Sequence, residues 1–181
     1  MFFGKLAALN DFFRSLISHE TRAMRFDPAE IEIRSLRESD LETIIGLTEL
    51  LEEAPHWARE SYAALVRPES WGERIALVAQ ERVSGEVLGF TVARLIAPEA
   101  ELETIAVTQS RQRRGVGRQL LSALVLRLRQ ASVEALHLEV RASNRAAIGL
   151  YNTFGFSETG RRSRYYSGPA EDAVLMTLHL G

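Results

Sequence analysis

The chain contains no cysteine, and this absence removes several kinds of chemistry at once. Disulfides, thiolate metal sites and a cysteine-bound acyl intermediate are all excluded. Aromatic residues make up only 8% of the chain, whereas hydrophobic residues reach 46% and charged residues 25%. These proportions are typical of a globular domain and exclude a disordered chain. Its 181 residues are enough for one domain with a sizeable core, or for one domain and an appendage.

Excess charge and long apolar runs are also lacking. The formal net charge is -2, which argues against a general nucleic-acid binder. No stretch approaches the length of a membrane span, and the beginning of the chain lacks the continuous apolar core of a signal peptide. We therefore expect a cytoplasmic protein with neither nucleic acid nor membrane as a partner. No metal is expected either, because ligand spacing is absent from the histidines, which are His19, His56, His137 and His179.

Residues 1–26 differ from the rest of the chain. Their apolar residues recur at helical spacing, and Pro28 breaks the pattern. The sequence predicts an amphipathic helical extension with a linker over residues 1–30, followed by a domain over residues 31–181. The apolar side would pack on this domain, or on a second copy in a homodimer; it contains Phe2, Leu6, Leu9, Phe13, Leu16 and Ile17. Docking to a partner protein or a membrane is the alternative, and the low basic charge weakens the membrane version.

The order of predicted elements within the domain indicates a mixed sheet with helices packed on it. Strands are predicted over residues 31–36, 74–81, 86–96, 100–107, 135–140 and 172–180, and helices over 39–53, within 54–66, over 113–131 and over 143–154. Ser39 and Glu42 have the spacing of a capping box. The strands 100–107 and 135–140 flank a single helix, so a right-handed crossover would make them parallel.

The stretch RQRRGVGRQLLSAL, residues 111–124, places four arginines and two glycines before an apolar helical stripe. Gly115 and Gly117 allow a tight turn and close approach of a ligand, and a helix start suits a phosphate. The spacing matches neither a Walker loop, because Arg118 replaces its lysine, nor a dinucleotide fingerprint, because Leu120 replaces the third glycine. A surface loop with solvated arginines is the alternative explanation.

Two side chains further along are candidates for acid–base chemistry. Glu139 shares the polar face of strand 135–140 with His137, and burying a carboxylate there is costly unless it is paired or functional. It is either a general base or one half of a salt bridge to a nearby arginine. Tyr151 follows Ile148 at helical spacing, so its ring is either a core ring or a proton donor.

Several stretches together resemble the GNAT superfamily of N-acetyltransferases. IAVTQSRQRRGVGRQLL is similar to the acyl-CoA motif, and LHLEVRASNRAAIGLYNTFGF, RRSRYYSGPAEDAVLM and PHWARESY resemble the RimI-type ribosomal-protein-alanine N-acetyltransferases. The resemblance covers about residues 31–180. The sequence departs from it at TQSRQRR, where an Asp-Pro pair is usual, and at Ser163–Arg164, where Arg-Asn is common.

This resemblance implies an α/β fold with a mixed, mostly antiparallel sheet, helices on both faces and a parallel strand pair at an acyl-CoA cleft. It implies acetyl-CoA as cosubstrate, with Glu139 as general base and Tyr151 as general acid. The cofactor-binding residues would be Ile105, Ala106 and Val107 along the pantetheine arm, Arg113, Arg114, Gly115, Val116, Gly117 and Arg118 around the pyrophosphate, and Asn144 near the acetyl end. Without cysteine or a Gly-x-Ser-x-Gly elbow, the amine is expected to attack directly.

The implied acceptor is a protein N-terminal amine, the N-terminal alanine of a small-subunit ribosomal protein. Glu103, together with Glu52, Glu53 and Glu101, would form a negative rim that attracts a cationic peptide. Aromatic surface would come from Trp57, Tyr62, Tyr165 and Tyr166; solvated charges and core rings are the alternative. Two other functions stay open. One is acetyl transfer to another amine, such as a lysine side chain, a polyamine or an antibiotic, and the other is a non-catalytic acyl-CoA-binding regulatory module.

Overall fold

A seven-stranded sheet forms the centre of the protein. The computed structural model describes residues 30–51, 57–67, 74–167 and 169–181, so the helix expected over residues 1–26 lies outside the described residues. In chain order the strands are β1 (Ile31–Ser35), β2 (Arg74–Glu81), β3 (Val87–Ile96), β4 (Glu99–Val107), β5 (Ala135–Arg141), β6 (Ser157–Tyr166) and β7 (Glu171–His179). Across the sheet the order is β1-β2-β3-β4-β5-β7-β6.

Helices cover both faces of this sheet. They are α1 (Leu41–Glu49), α2 (Arg59–Ala64), α3 (Val116–Gln130) and α4 (Arg145–Thr153), with 3-10 turns at Glu38–Asp40 and Gln109–Arg111. On one face α1 and α2 pack against β2 and β3 around Ile44, Val78 and Phe90. On the other face α3 and α4 share one core cluster with β5 and β7. In the part of the chain that the structure describes, no helix is long and apolar enough to cross a membrane.

The predicted apolar stripe of α3 is confirmed as the centre of the larger core. Each buried leucine contributes about 1.5–3 kcal/mol relative to an exposed one, so the stripe fixes the helix firmly on the sheet. Arg127 and Arg129 face solvent, as expected. The buried side chains are Leu120, Leu121, Leu124, Val125 and Leu128. This packing holds the amino-terminal end of α3 beside the end of β4.

The strand pairing confirms the predicted mixed sheet. All neighbouring strands are antiparallel except β4 and β5, which are parallel. The parallel pairing covers only Glu99–Glu101 on β4 and Ala135–His137 on β5. Beyond these residues the two strands continue without pairing to each other, and a cleft opens between them.

One local expectation is wrong, and one strand was not predicted. The helix α1 begins at Leu41 directly after the 3-10 turn Glu38–Asp40, whose start is closed by Asp40 Oδ2 accepting the Arg37 N–H at 2.8 Å, and the expected capping box of Ser39 and Glu42 does not form. The strand β6 was not expected from the sequence at all. It lies at the edge of the sheet with nearly all its residues exposed, so it lacks the apolar alternation by which a strand is recognised.

Candidate active site

A cleft of about 1040 Å³ lies where β4 and β5 part, and the amino-terminal ends of α3 and α4 border it. Open α/β sheets bind ligands at such a point, beyond the carboxyl ends of parallel strands. The structure brings most of the residues singled out in the sequence to this one cleft. They are Glu103, Ile105, Ala106, Val107, Arg113, Gly115, Gly117, Arg118, Glu139, Asn144 and Tyr151.

One end of the cleft has the backbone geometry and the charge that suit a phosphate. Arg113 and Gly115 adopt left-handed backbone conformations, with φ of 57° and 88°, and the turn they make leads into α3. The Gln119 N–H donates to the Gly115 carbonyl at 3.0 Å, so the N–H groups of residues 116–118 precede the first helical hydrogen bond. These N–H donors and the helix dipole suit the negative charge of a pyrophosphate, and so do the cleft-lining Arg113 and Arg118.

Two of the predicted phosphate-site residues differ from the others in placement. The side chain of Val116, the first residue of α3, is buried in the core and does not line the cleft, so only its backbone N–H is available to a ligand. Arg114 is exposed and does not line the cleft. Gln112, which was not in the predicted set, fixes the loop because its Nε2 donates to the Val107 carbonyl at 3.1 Å.

The edge of β4 that faces β5 is available to an extended ligand. Ile105, Ala106 and Val107 pair with β3 on one side only, since the parallel pairing ends at Glu101. All three residues line the cleft, and the Val107 carbonyl accepts the hydrogen bond from Gln112. An extended part of a ligand that carries amide groups fits along this edge as an added β-strand would. One end of this part then lies at the start of α3.

Glu139 lies on β5 in the cleft wall, with its side chain 21% exposed. The Arg162 guanidinium on β6 approaches it, with Nη1 2.6 Å from Oε1. Tyr165 also hydrogen-bonds to this carboxylate, and that bond raises the pKa of Tyr165. The salt bridge that the sequence left open is therefore present. Its arginine could not be named from the sequence because β6 was not predicted.

Tyr151 projects from α4 into the cleft wall and is almost completely buried. Its ring packs against Phe156, with the ring centroids 5.5 Å apart. Burial raises the pKa of its hydroxyl, so the phenol keeps its proton throughout the physiological range. The ring is therefore a core ring that also borders the cleft, and the role of Tyr151 as a proton donor stays a prediction.

Asn144 begins α4 and has a structural task. Its Oδ1 accepts the Ala147 N–H at 3.0 Å, which is the hydrogen bond of a helix N-cap. The residue also lines the cleft. An asparagine directly before a helical pattern is the signal by which the sequence could have shown this capping role.

The fold and this geometry agree with what comparison with known proteins finds. The Acetyltransferase (GNAT) family profile matches residues 37–156. The chain belongs to the GNAT family of acetyltransferases. It is 37% identical over 148 residues to the ribosomal protein bS18-alanine N-acetyltransferase of Escherichia coli K12, which covers 81% of this chain and 95% of that protein. The enzyme of the same name from Salmonella typhimurium is 43% identical over 112 residues, or 59% of this chain and 73% of that protein.

A solved structure supports the same assignment for this GNAT protein. The crystal structure of the Escherichia coli ribosomal-protein-S18-alanine N-acetyltransferase matches with a TM-score of 0.73 at 33% sequence identity. The match covers 83% of this chain and 94% of that one. The protein is an acetyl-CoA-dependent N-acetyltransferase, and acetyl-CoA is its cosubstrate. In the part of the chain that the structure describes, no group of three or more side chains could hold a metal ion.

The acceptor-binding residues expected of this GNAT acetyltransferase occupy different environments. Tyr62 is only 1% exposed, and its hydroxyl lies 2.9 Å from Thr48 Oγ1 inside the smaller core cluster, so its ring is a core ring that cannot touch a substrate. Trp57 packs on it, with centroids 5.4 Å apart, and does not line the cleft. Glu103 does line the cleft, and Arg74 forms a salt bridge with it at 2.9 Å.

The structure adds Arg141 to the cleft wall of the GNAT protein and places Tyr166, one of the predicted aromatic residues, beside it. Arg141 lies over the ring of Tyr166, with its Cζ 4.3 Å from the ring centroid, and forms a salt bridge with Glu171 at 3.4 Å. Arg141 and Tyr166 both line the cleft. The sequence could not pair them because their contact depends on how β5, β7 and β6 align.

Proposed function

We propose that this acetyltransferase transfers the acetyl group of acetyl-CoA to the N-terminal alanine of ribosomal protein bS18. The observation that carries the proposal is that a helix start suited to phosphate, an unpaired strand edge and a carboxylate all lie along one cleft. The identity to the Escherichia coli enzyme extends over 95% of that protein and supports the choice of acceptor.

The proposed reaction is a direct attack of the amine on the thioester carbonyl. Glu139 accepts a proton from the acceptor ammonium, which makes the amine nucleophilic. The Tyr151 hydroxyl donates a proton to the thiolate that leaves. Backbone N–H groups at the start of α3, together with Arg113 and Arg118, hold the pyrophosphate. The edge of β4 aligns the pantetheine arm of acetyl-CoA so that its thioester lies near Glu139.

A peptide with the first residues of bS18 tests the acceptor. We expect acetyl-CoA-dependent addition of a single acetyl group, which fragment-ion mass spectrometry locates on the alanine nitrogen. The same peptide with its N-terminus blocked and its lysines intact is the control. Acetylation of the blocked peptide would instead favour a lysine side chain, and absence of thiol release with any amine would leave only the regulatory acyl-CoA-binding module.

Glu139→Gln tests the chemistry in the same assay. A positioned general base contributes roughly 10²–10⁴-fold, so we expect kcat to fall by that factor while the Kd for acetyl-CoA stays within about twofold. Calorimetry with acetyl-CoA provides the second measurement. A variant with near-normal kcat would leave Glu139 as a structural ion-pair partner.

The location and assembly of the protein follow from the same proposal. A ribosomal acceptor places the reaction in the cytoplasm. We propose in addition that the apolar side of residues 1–26 forms a contact with the domain or with a second copy, because an uncovered apolar stripe promotes aggregation. Deleting residues 1–26 should change the solution mass or the thermal stability and leave kcat largely intact. Loss of peptide acetylation in an equally stable, monodisperse truncation would assign this segment to substrate recognition.

A further inference from the structure

Arg162 reaches Glu139 across an intervening strand. In the register of the sheet Glu139 pairs with Leu175 of β7, and Arg162 pairs with Ala173 of the same strand. Two strand spacings, or about 10 Å, therefore separate the backbones of β5 and β6. Because directly paired residues point to the same face, the Arg162 side chain lies on the same face of the sheet as the small side chain of Ala173.

A distortion of β6 brings a second group to the same carboxylate. Between Arg162 and Tyr166 the register against β7 shifts, because these two residues pair with Ala173 and Glu171. Arg164, inside this bulge, has a left-handed φ of 53°, and its N–H donates to Asp172 Oδ1 at 2.9 Å. A bulge redirects side chains locally. Here the ring of Tyr165 lies beside the Arg162 guanidinium, 5.3 Å from Cζ to the centroid.

The contact between Arg162 and Glu139 is short, but about half of the Arg162 side chain is open to solvent. The Arg162 side chain is 52% exposed, whereas the neighbouring Arg141 is 18% exposed and is held by both Glu171 and Tyr166. Ion pairs with one exposed partner exchange readily with solvent and with other ions. Arg162 is thus able to leave Glu139 without disturbing the core.

The carboxylate that Arg162 contacts is the one that must receive the acceptor ammonium in the proposed reaction. Guanidinium stays protonated at any physiological pH, so it neutralises a carboxylate without surrendering a proton to it. A partly buried carboxylate left without a cation is costly. When the acceptor ammonium displaces the Arg162 guanidinium, Glu139 has one cation beside it both before and after the substrate binds.

We propose that Arg162 is a place-holder for the acceptor ammonium and thereby a specificity-determining residue of this acetyltransferase. It occupies the ammonium position until a cationic amine displaces it, so every acceptor competes with it for Glu139. This inference rests on the proposed role of Glu139 as the general base. It assigns to β6 a function in acceptor selection that is separate from holding acetyl-CoA.

Arg162→Met tests the proposal because methionine keeps an unbranched apolar stem and lacks the cation. With the competitor removed, we expect the KM for the acceptor to fall at least threefold, while kcat and the KM for acetyl-CoA stay within about twofold. Arg161→Met is the matched control. Arg161 is the adjacent residue of β6, is similarly exposed, and forms its salt bridge with Glu158 instead. We expect no change in the KM for the acceptor in this control.

Chemical replacement of the lost group gives a second readout that a merely structural role would not produce. Methylguanidinium added to Arg162→Ala should inhibit competitively against the acceptor, and more strongly than it inhibits the wild type at matched ionic strength. In an Arg162→Met, Glu139→Gln double variant, the decrease in KM should disappear, because both substitutions act on one contact.

Three results would overturn the inference: an unchanged acceptor KM in Arg162→Met, a raised KM, or a kcat reduced tenfold or more. The first would make the contact an incidental ion pair, and the others would make Arg162 a required positioning residue. Failure of the proposed acceptor is a separate result. If the wild type does not acetylate the bS18 peptide, the same variants are compared with a primary amine that it does acetylate.

Discussion

At the scale of single residues, Tyr151 is a core ring for which we propose a second role as the proton donor. Its ring fills the core against Phe156, while its position in α4 places it in the cleft wall. Burial disfavours the phenolate and raises the pKa of the hydroxyl. Since the neutral form is the one that carries a transferable proton, this environment keeps Tyr151 ready to donate over the whole range of an ordinary assay.

Tyr151→Phe separates the two roles because it removes the oxygen and leaves the ring. Loss of a positioned proton donor should lower kcat by about a hundredfold. Thermal unfolding should stay close to that of the wild type. The raised pKa predicts that activity of the wild type does not fall from Tyr151 ionisation below about pH 10, the ordinary pKa of tyrosine. Tyr62→Phe is the control for kcat, because Tyr62 is a buried tyrosine that does not line the cleft. Full activity of Tyr151→Phe, with chemistry rate-limiting, would remove Tyr151 from the mechanism.

At the scale of secondary structure, the close approach of β3 and β4 positions the strand edge that faces the ligand. Gly89 of β3 pairs with Val107 of β4. A Cβ atom added at Gly89 would lie 2.5 Å from the Ala106 carbonyl oxygen and 3.1 Å from Val107 Cα. Both contacts are with backbone, so no side-chain rotation relieves them. Only glycine permits this spacing.

Gly89→Ala should therefore displace the end of β4. Overpacking of this kind costs about 1–3 kcal/mol, and the displaced segment includes Ala106 and Val107, which border the cleft. We expect weaker acetyl-CoA binding, by roughly tenfold, together with a lower Tm. Gly46→Ala in α1 is the control, because nothing lies within 4 Å of an added Cβ there and alanine favours a helix. Unchanged acetyl-CoA affinity in Gly89→Ala would show that this strand spacing does not position the cosubstrate.

The elements that the sequence predicts are those with a repeating apolar pattern. The strands β1 to β5 and β7 and the helix α3 all bury one or both faces, so their ends fall within a few residues of expectation. The exposed strand β6 has no such pattern. Because β6 carries Arg162 and Tyr165, the partners of Glu139 were not predictable, although Glu139 itself was. Residue contacts that depend on a bulge and on register across three strands leave no local signal.

At the scale of the whole molecule, one salt bridge secures the edge of the sheet to the helical layer. Arg34 of β1 contacts Asp40, which precedes α1, with Nη1–Oδ2 and Nη2–Oδ1 distances of 2.6 and 2.8 Å. Both side chains are nearly buried, at 10% and 6% exposure. Burial opposes ionisation of Asp40, but the hydrogen bonds from Arg34 and from the Arg37 N–H outweigh it and hold its pKa below the ordinary value.

Asp40→Asn should lower the free energy of unfolding at neutral pH by about 3 kcal/mol, because it leaves the buried Arg34 without its counter-ion. A carboxyl with a lowered pKa in the folded protein stabilises it above the ordinary pKa near 3.8, and that contribution disappears as the pH falls through the folded value. The difference between wild type and variant should therefore be full at pH 7 and shrink below about pH 4.

Urea denaturation of both proteins at a series of pH values measures this dependence on acid. Glu42→Gln is the matched control, because Glu42 pairs with Arg59 and both side chains are largely exposed to solvent. Substitutions at such surface pairs stay within about 0.5 kcal/mol at every pH. If Asp40→Asn is as stable as the wild type at pH 7, or if the difference persists unchanged in acid, the salt bridge does not secure the two layers. The stability of the domain would then rest on its two apolar cores alone.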